Sequence, residues 1–181
     1  MFARIHGAFE WLLETIGIVL LVGLSVIVLL AVLARGLDIS MGWYDEVASI
    51  ALAWLTYYGA ALAALKRGHM GFSGLFLAMA VRWRAISFFV CEALIIGFFG
   101  LLAWKGYEVL EVMEGSTLIS LPWVPVALAQ SIIPVGATLF IAAEILSIPE
   151  AWRRAFSGTD VEAEEIERAI QDAARRSEDT P

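Results

Sequence analysis

Three carboxylates stand where charge is expensive. Glu14, Glu92 and Glu144 each lie within a long apolar run. An ionisable side chain at the middle of a membrane helix costs about 2.5–3.5 kcal/mol on insertion scales, so its presence needs a reason. One reason is proton relay. A relay has to cross the apolar layer, whereas all three acids fall towards the same side. No acid or histidine occupies the other half of any apolar run. The second reason is pairing, with Lys66, Arg67, Arg84, Arg153 or a partner subunit, and the positions favour it.

Other reactive side chains are sparse. His6 and His69 are not spaced to face each other within a helix bundle, as haem ligation requires. No His/Cys cluster has the spacing of a zinc site. The lone Cys91 lies in an apolar run and excludes an internal disulfide, leaving a small packing residue. Glu108, Glu111 and Glu114 recur every third residue, the pattern of a solvated helix face. Ser116 and Ser120 have no candidate His or Asp base nearby to activate them. No catalytic residue, cofactor or metal is expected. The basic residues form no patch that would suit nucleic acid.

The elements that hold these residues follow from composition. Of 181 residues, 60% are hydrophobic and 17% charged. A soluble domain of this length has too little interior for that much apolar surface, which points to lipid as the solvent. A span needs about 20 mostly apolar residues. The stretches 11–34, 47–65, 85–104 and 123–148 meet that requirement. The first is too long for the h-region of a signal peptide, and no convincing cleavage site closes it, so it reads as a retained span. Six of the 7 tryptophans (Trp11, Trp43, Trp83, Trp104, Trp123 and Trp152) fall at or near span ends, where indole rings favour the headgroup level. The shorter run over 70–81 reads as a helix lying in the interface. The fold class expected is all-α: an integral membrane four-helix protein.

Charge asymmetry sets the direction. Arg4, Lys66, Arg67, Arg82, Arg84, Arg153 and Arg154 fall on one side, which places both termini in the cytoplasm. Arg35 and Lys105 fall on the other, among Asp38, Asp45, Glu46, Glu108, Glu111 and Glu114. The third helix is expected to run on from Arg84 to a stop at Gly115, outreaching the hydrocarbon layer. Pro134 predicts a kink in the fourth span. The organisation is thus a membrane domain over 1–156 and an acidic cytoplasmic tail over 157–181. In that tail, Thr159-Asp160-Val161-Glu162 reads as a capping box opening a short helix. Most of the net charge of −7 resides there. Small residues pair at helix-packing spacing, Gly59 with Ala63, Ala60 with Ala64 and Ala93 with Gly97.

An ordered set of residues carries a resemblance. Arg35 closes the first span, and Trp43-Tyr44-Asp45-Glu46 opens the second. Trp54 and Gly59-Ala60-Ala61 follow, then Lys66-Arg67-Gly68-His69. Ser116, Leu121-Pro122-Trp123, Pro134 and Gly136 complete it. This pattern, over roughly 10–148, resembles the small membrane (Q, or DctQ-type) subunit of tripartite ATP-independent periplasmic (TRAP) transporters. The chain departs from the family's usual pattern at Gly36, where an aromatic is common, and at Phe72-Ser73-Gly74, where an acidic residue is common.

The resemblance implies a non-catalytic accessory role in a bacterial inner membrane. A large M subunit would carry the substrate and sodium sites and move by an elevator mechanism. A soluble periplasmic binding protein would deliver the substrate, typically an organic acid. The small subunit would pack on the scaffold of the large one. On that reading Arg35 is expected to pair with Asp45 or Glu46 and fix the turn between the first two spans. Arg67 and His69 are expected to order the next loop. The alternative is a small four-span proton-coupled exporter that dimerises around Glu14. A membrane electron-transfer subunit is a third reading.

Overall fold

The computed structural model describes residues 2–39, 41–66 and 80–157. Among them the secondary structure is helical, apart from an isolated bridge between Thr117 and Pro125. The helices are α1 (Phe2–Gly36), α2 (Tyr44–Leu65), α3 (Val81–Val112), α4 (Val126–Gln130) and α5 (Ile132–Ser157). Four helical segments are long and apolar enough to cross a membrane: His6–Gly36, Tyr44–Leu65, Val81–Val112 and Val126–Arg153. The interfacial helix expected over 70–81 falls outside the described residues, except for Ala80 and for Val81, which opens α3. The tail helix expected after Ser157, together with Arg67 and His69, also lies outside them.

The helix ends follow from local chemistry. α1 closes with Asp38 in the left-handed region at φ 57. The Ile39 N–H donates to the Ala34 carbonyl and the Asp38 N–H to the Arg35 carbonyl. This is the paired 6→1 and 5→2 bonding of a Schellman motif, which satisfies two of the carbonyls a helix end leaves open. α2 carries Asp45 and Glu46 in its first turn, where negative charge suits the helix dipole. α3 runs for 32 residues and stops in a turn that reaches Gly115 at φ 84, as the glycine predicts. At 1.5 Å per residue it is about 48 Å long, well beyond a hydrocarbon layer of about 30 Å.

The fourth crossing differs from its expected start. Trp123 lies in a turn, and the helix begins at Val126 with Pro125 as its N-cap. The expected kink takes the form of a break at Ser131, between α4 and α5. Pro134 has no N–H for the Gln130 carbonyl and its ring crowds that carbonyl, so the disruption falls one turn before the proline.

The chain divides into two compact units. The first comprises Met1–Gly68 with Leu94–Ser147. Its core is built from Leu13 of α1, Ala61, Ala64 and Leu65 of α2, and Phe140 and Ala143 of α5. α5 buries Pro134, Ala137, Phe140, Ala143 and Ser147, a stripe at helical spacing. Phe99 of α3 stacks on Phe140 with centroids 3.8 Å apart and planes 10° from parallel. Two glycines permit close helix approach. A Cβ at Gly136 would lie 2.6–2.8 Å from the Cδ1, Cβ and Cγ of Tyr57, and one at Gly106 would lie 2.9 Å from the Cδ of Pro134.

The second unit comprises His69–Ala93 with Ile148–Pro181. Its described part joins the start of α3 to the end of α5 through Trp152, whose ring lies 5.6 Å from Phe88 and 5.4 Å from Phe89. These centroid distances suit aromatic packing. Arg84 and Glu92 of α3 belong to this unit and have little exposed surface.

Most apolar side chains of α1 and α3 remain uncovered. Val19 and Leu29 are 64% and 63% exposed, and Leu94 and Phe98 are 68% and 62% exposed. Surface of this extent on a single chain is stable only against lipid or another membrane protein.

Candidate functional site

The polar contacts of the first unit gather at the two ends of the α1–α2 pair. At one end, Lys66, the residue that caps α2, reaches back to α1. Its Nζ donates to Glu14 Oε1 at 2.5 Å and lies 3.2 Å from Glu10 Oε1. Glu10 and Glu14 are four residues apart on one helix face, so both carboxylates reach a single cation. The hydrogen bond to Glu14 and then that to Glu10 raise the Lys66 pKa above its ordinary value. His6 adds a longer contact, its Nδ1 3.8 Å from Glu10 Oε2.

At the other end, Arg35 Nη2 donates to the Tyr44 hydroxyl at 2.8 Å. With Lys66 on Glu14, this contact makes α1 and α2 antiparallel. Glu14 and Arg35 are 21 positions apart, about 32 Å along a helix. The two polar contacts therefore stand about one hydrocarbon thickness apart. Glu14 thus sits at the boundary of the apolar layer rather than deep inside it.

Glu46 has a different partner from the one expected. Its carboxylate accepts the Ile119 N–H at 3.1 Å and the Ser120 N–H at 2.8 Å, while the Ser120 hydroxyl donates to the Gly42 carbonyl at 3.1 Å. Glu46 therefore ties the start of α2 to the loop between α3 and α4. The expected pairing of Arg35 with Asp45 or Glu46 is replaced by Arg35 on Tyr44. The physical reason is that two adjacent backbone donors offer Glu46 charge-assisted bonds in place of a mobile guanidinium. The loop is folded on itself by Leu118 N–H to the Val124 carbonyl and Val126 N–H to the Ser116 carbonyl, so those donors are held in place. Pro122 and Trp123 form its turn, with Trp123 77% exposed.

Trp54 completes this end. Its indole N–H donates to the Ala129 carbonyl at 3.2 Å. Ala129 lies in the last turn of α4, where the break at Ser131 leaves carbonyls in need of donors. Between α2 and the loop lies an apolar cavity of about 190 Å³, walled by Val47, Ile50, Trp54, Leu121 and Leu128.

Glu144 of the first unit is 3% exposed, and Glu92 of the second is 6% exposed. Both engage other groups, as does Arg84. Of the three carboxylates of the apolar runs, Glu14 is the one whose cation partner, Lys66, is identified. Gly59 is open: a Cβ there meets nothing within 4 Å, and the same holds at Gly97. Close approach inside the chain is made instead at Gly136 and Gly106, where the facing Tyr57 and Pro134 are large. No small-xxx-small spacing marks those contacts, although Gly106 in α3 and Pro134 were each visible as interruptions of an apolar run. Glu10, Tyr44 and the backbone of Ile119 and Ser120 were also missed. The i, i+4 spacing of Glu10 and Glu14 was the one available signal.

No group of three or more His, Cys, Asp or Glu side chains able to hold a metal occurs among the described residues. The arrangement fastens helices and a loop together.

Residues 24–154 match the family model described as Tripartite ATP-independent periplasmic transporters, DctQ component. That range covers well over half of the chain. No curated protein matches it.

Proposed function

The chain belongs to the DctQ-component family of tripartite ATP-independent periplasmic transporters, and from that premise we propose that it is the small, non-catalytic membrane subunit of an importer driven by a sodium gradient. It pairs with and stabilises a large transport subunit, which carries the substrate and ion sites. A periplasmic binding protein delivers the substrate, an organic acid. The membrane is the bacterial inner membrane. Both termini are cytoplasmic, with the Glu14–Lys66 end inside and the Arg35–Glu46 end outside. Residues 1–156 form the membrane domain and 157–181 a cytoplasmic tail.

The observation that carries this reading is the combination of engaged polar groups with uncovered apolar helix faces. Ion-coupled transport needs polar groups free to bind and release their cargo. Here Glu14 is bonded to Lys66, Glu92 and Glu144 each engage another group, and α1 and α3 present extensive apolar surface. That surface suits lateral packing on another membrane protein. The exporter alternative needs Glu14 deep and uncommitted, and its bond to Lys66 at the layer's edge speaks against it.

Reconstitution tests the proposal. Vesicles containing this chain alone are expected to show no sodium-dependent uptake, and uptake is expected when the large subunit and binding protein are added. Proton-driven transport by this chain alone would contradict it.

A further inference from the structure

Beside the C-terminus of α1 lies a cavity of about 270 Å³, lined by Ala31, Arg35, Asp38, Ile39, Met41 and Tyr44. It takes part in none of the interhelical contacts above except the Arg35–Tyr44 bond. Two residues of opposite charge line it, yet Arg35 spends its side-chain bond on the Tyr44 hydroxyl rather than on Asp38. The hydroxyl oxygen accepts that bond, so its own O–H remains able to donate into the cavity. Asp38 occupies a left-handed backbone position at φ 57, which glycine fills more readily. Asp and Asn both tolerate that position, so Asp38→Asn removes the charge without straining the backbone.

The cavity's level is also informative. Arg35 stands about 32 Å along α1 from the Glu14–Lys66 contact, at the far edge of the apolar layer. On the layer side its wall is apolar, with Ala31 beneath. Val32 and Leu33 are 63% and 64% exposed on the same stretch of α1.

We propose that this cavity binds the headgroup of phosphatidylethanolamine. The lipid phosphate accepts from the Arg35 guanidinium and the Tyr44 hydroxyl. Guanidinium suits phosphate because its planar fork donates to two oxygens at once. The ammonium of the ethanolamine donates to the Asp38 carboxylate, and the acyl chains lie along α1. Phosphatidylglycerol supplies the phosphate but no cation for Asp38. Phosphatidylcholine supplies a cation with no N–H to donate. The paired charges thus select a zwitterionic lipid with a primary amine, and the apolar wall selects a lipid over free phosphoethanolamine.

The test is native mass spectrometry of the full-length chain released from nanodiscs that hold equal parts of the three lipids. The wild type is expected to retain phosphatidylethanolamine about tenfold over either competitor, the scale of one charge-assisted bond. Arg35→Gln is expected to lower that retention about tenfold. Asp38→Asn, which tolerates the left-handed backbone, is expected to abolish the preference while leaving the thermal midpoint and elution profile unchanged. Millimolar soluble phosphoethanolamine is expected to displace nothing. Equal retention of the three lipids would overturn the proposal, as would unchanged selectivity in Asp38→Asn or displacement by the soluble headgroup.

Discussion

Gly136→Ala is the sharpest perturbation of the helix packing. The added Cβ would lie 2.6–2.8 Å from three atoms of Tyr57, including its Cβ and Cγ. Carbon atoms pack at about 3.5–4.0 Å, so about 1 Å of separation has to be made. Because the Tyr57 Cβ is itself among the clashing atoms, rotating the ring cannot relieve the contact. α2 and α5 must move apart instead. Overpacking of this kind costs about 1–3 kcal/mol. Replacing a helical glycine returns about 1 kcal/mol, leaving a net loss of up to about 2 kcal/mol. Chains of this length lose about 2–4 °C of Tm per kcal/mol, which gives a fall of up to about 8 °C. Gly59→Ala is the internal control: its Cβ meets nothing within 4 Å, so only the propensity gain applies and the midpoint is expected to hold or rise. Thermal unfolding of both variants in one mild detergent reads the difference. Equal midpoints for Gly136→Ala and Gly59→Ala would refute the reasoning.

Other outcomes follow from the polar contacts. Glu46→Ala is expected to raise the rate of proteolysis within the loop 116–125 above that of Glu46→Gln, since the amide keeps one acceptor for the Ile119 and Ser120 N–H groups and alanine keeps none. Equal cleavage in both would remove Glu46 as the loop's anchor. Trp54→Phe keeps an aromatic side chain but trims the indole and loses the bond to the Ala129 carbonyl, so a destabilisation of at least about 0.5–1.5 kcal/mol is expected in chemical unfolding. The Lys66 pKa is raised, so its pairing with Glu14 and Glu10 is fully present below the ordinary lysine value and is lost only as pH rises through the higher folded one. A Tm–pH profile is expected to show an alkaline fall above about pH 10.5, and Lys66→Met to lack that limb.

The spans were legible because hydrocarbon thickness dictates both their length and their ends. Charge at Arg35 and Lys66 and indoles at Trp11, Trp43 and Trp104 bracket the apolar runs. The fourth span was misplaced at its start because Trp123 and Val124 continue the apolar run while belonging to a hydrogen-bonded loop. Hydropathy carries no information on such a loop, since its bonds are made by backbone groups. For the same reason Arg35 was expected to pair with Asp45 or Glu46: charge pairs with charge in a sequence reading, and backbone donors have no letter. Lys66 was among the cations considered for the acids, and the structure selects it for Glu14 because the antiparallel turn of α1 and α2 brings it level. The close contacts at Gly136 and Gly106 escaped notice because their partners, Tyr57 and Pro134, are large. The small-residue spacing rule searches for small residues on both sides.

The central claim is that this chain works as a fixed helper to a larger membrane subunit. Its most direct test is affinity purification of the tagged chain from its native host in mild detergent, with the stoichiometry of everything that accompanies it. The account predicts one copy of a larger polytopic membrane protein for each copy of this chain. A homodimer purified with no such partner would contradict it.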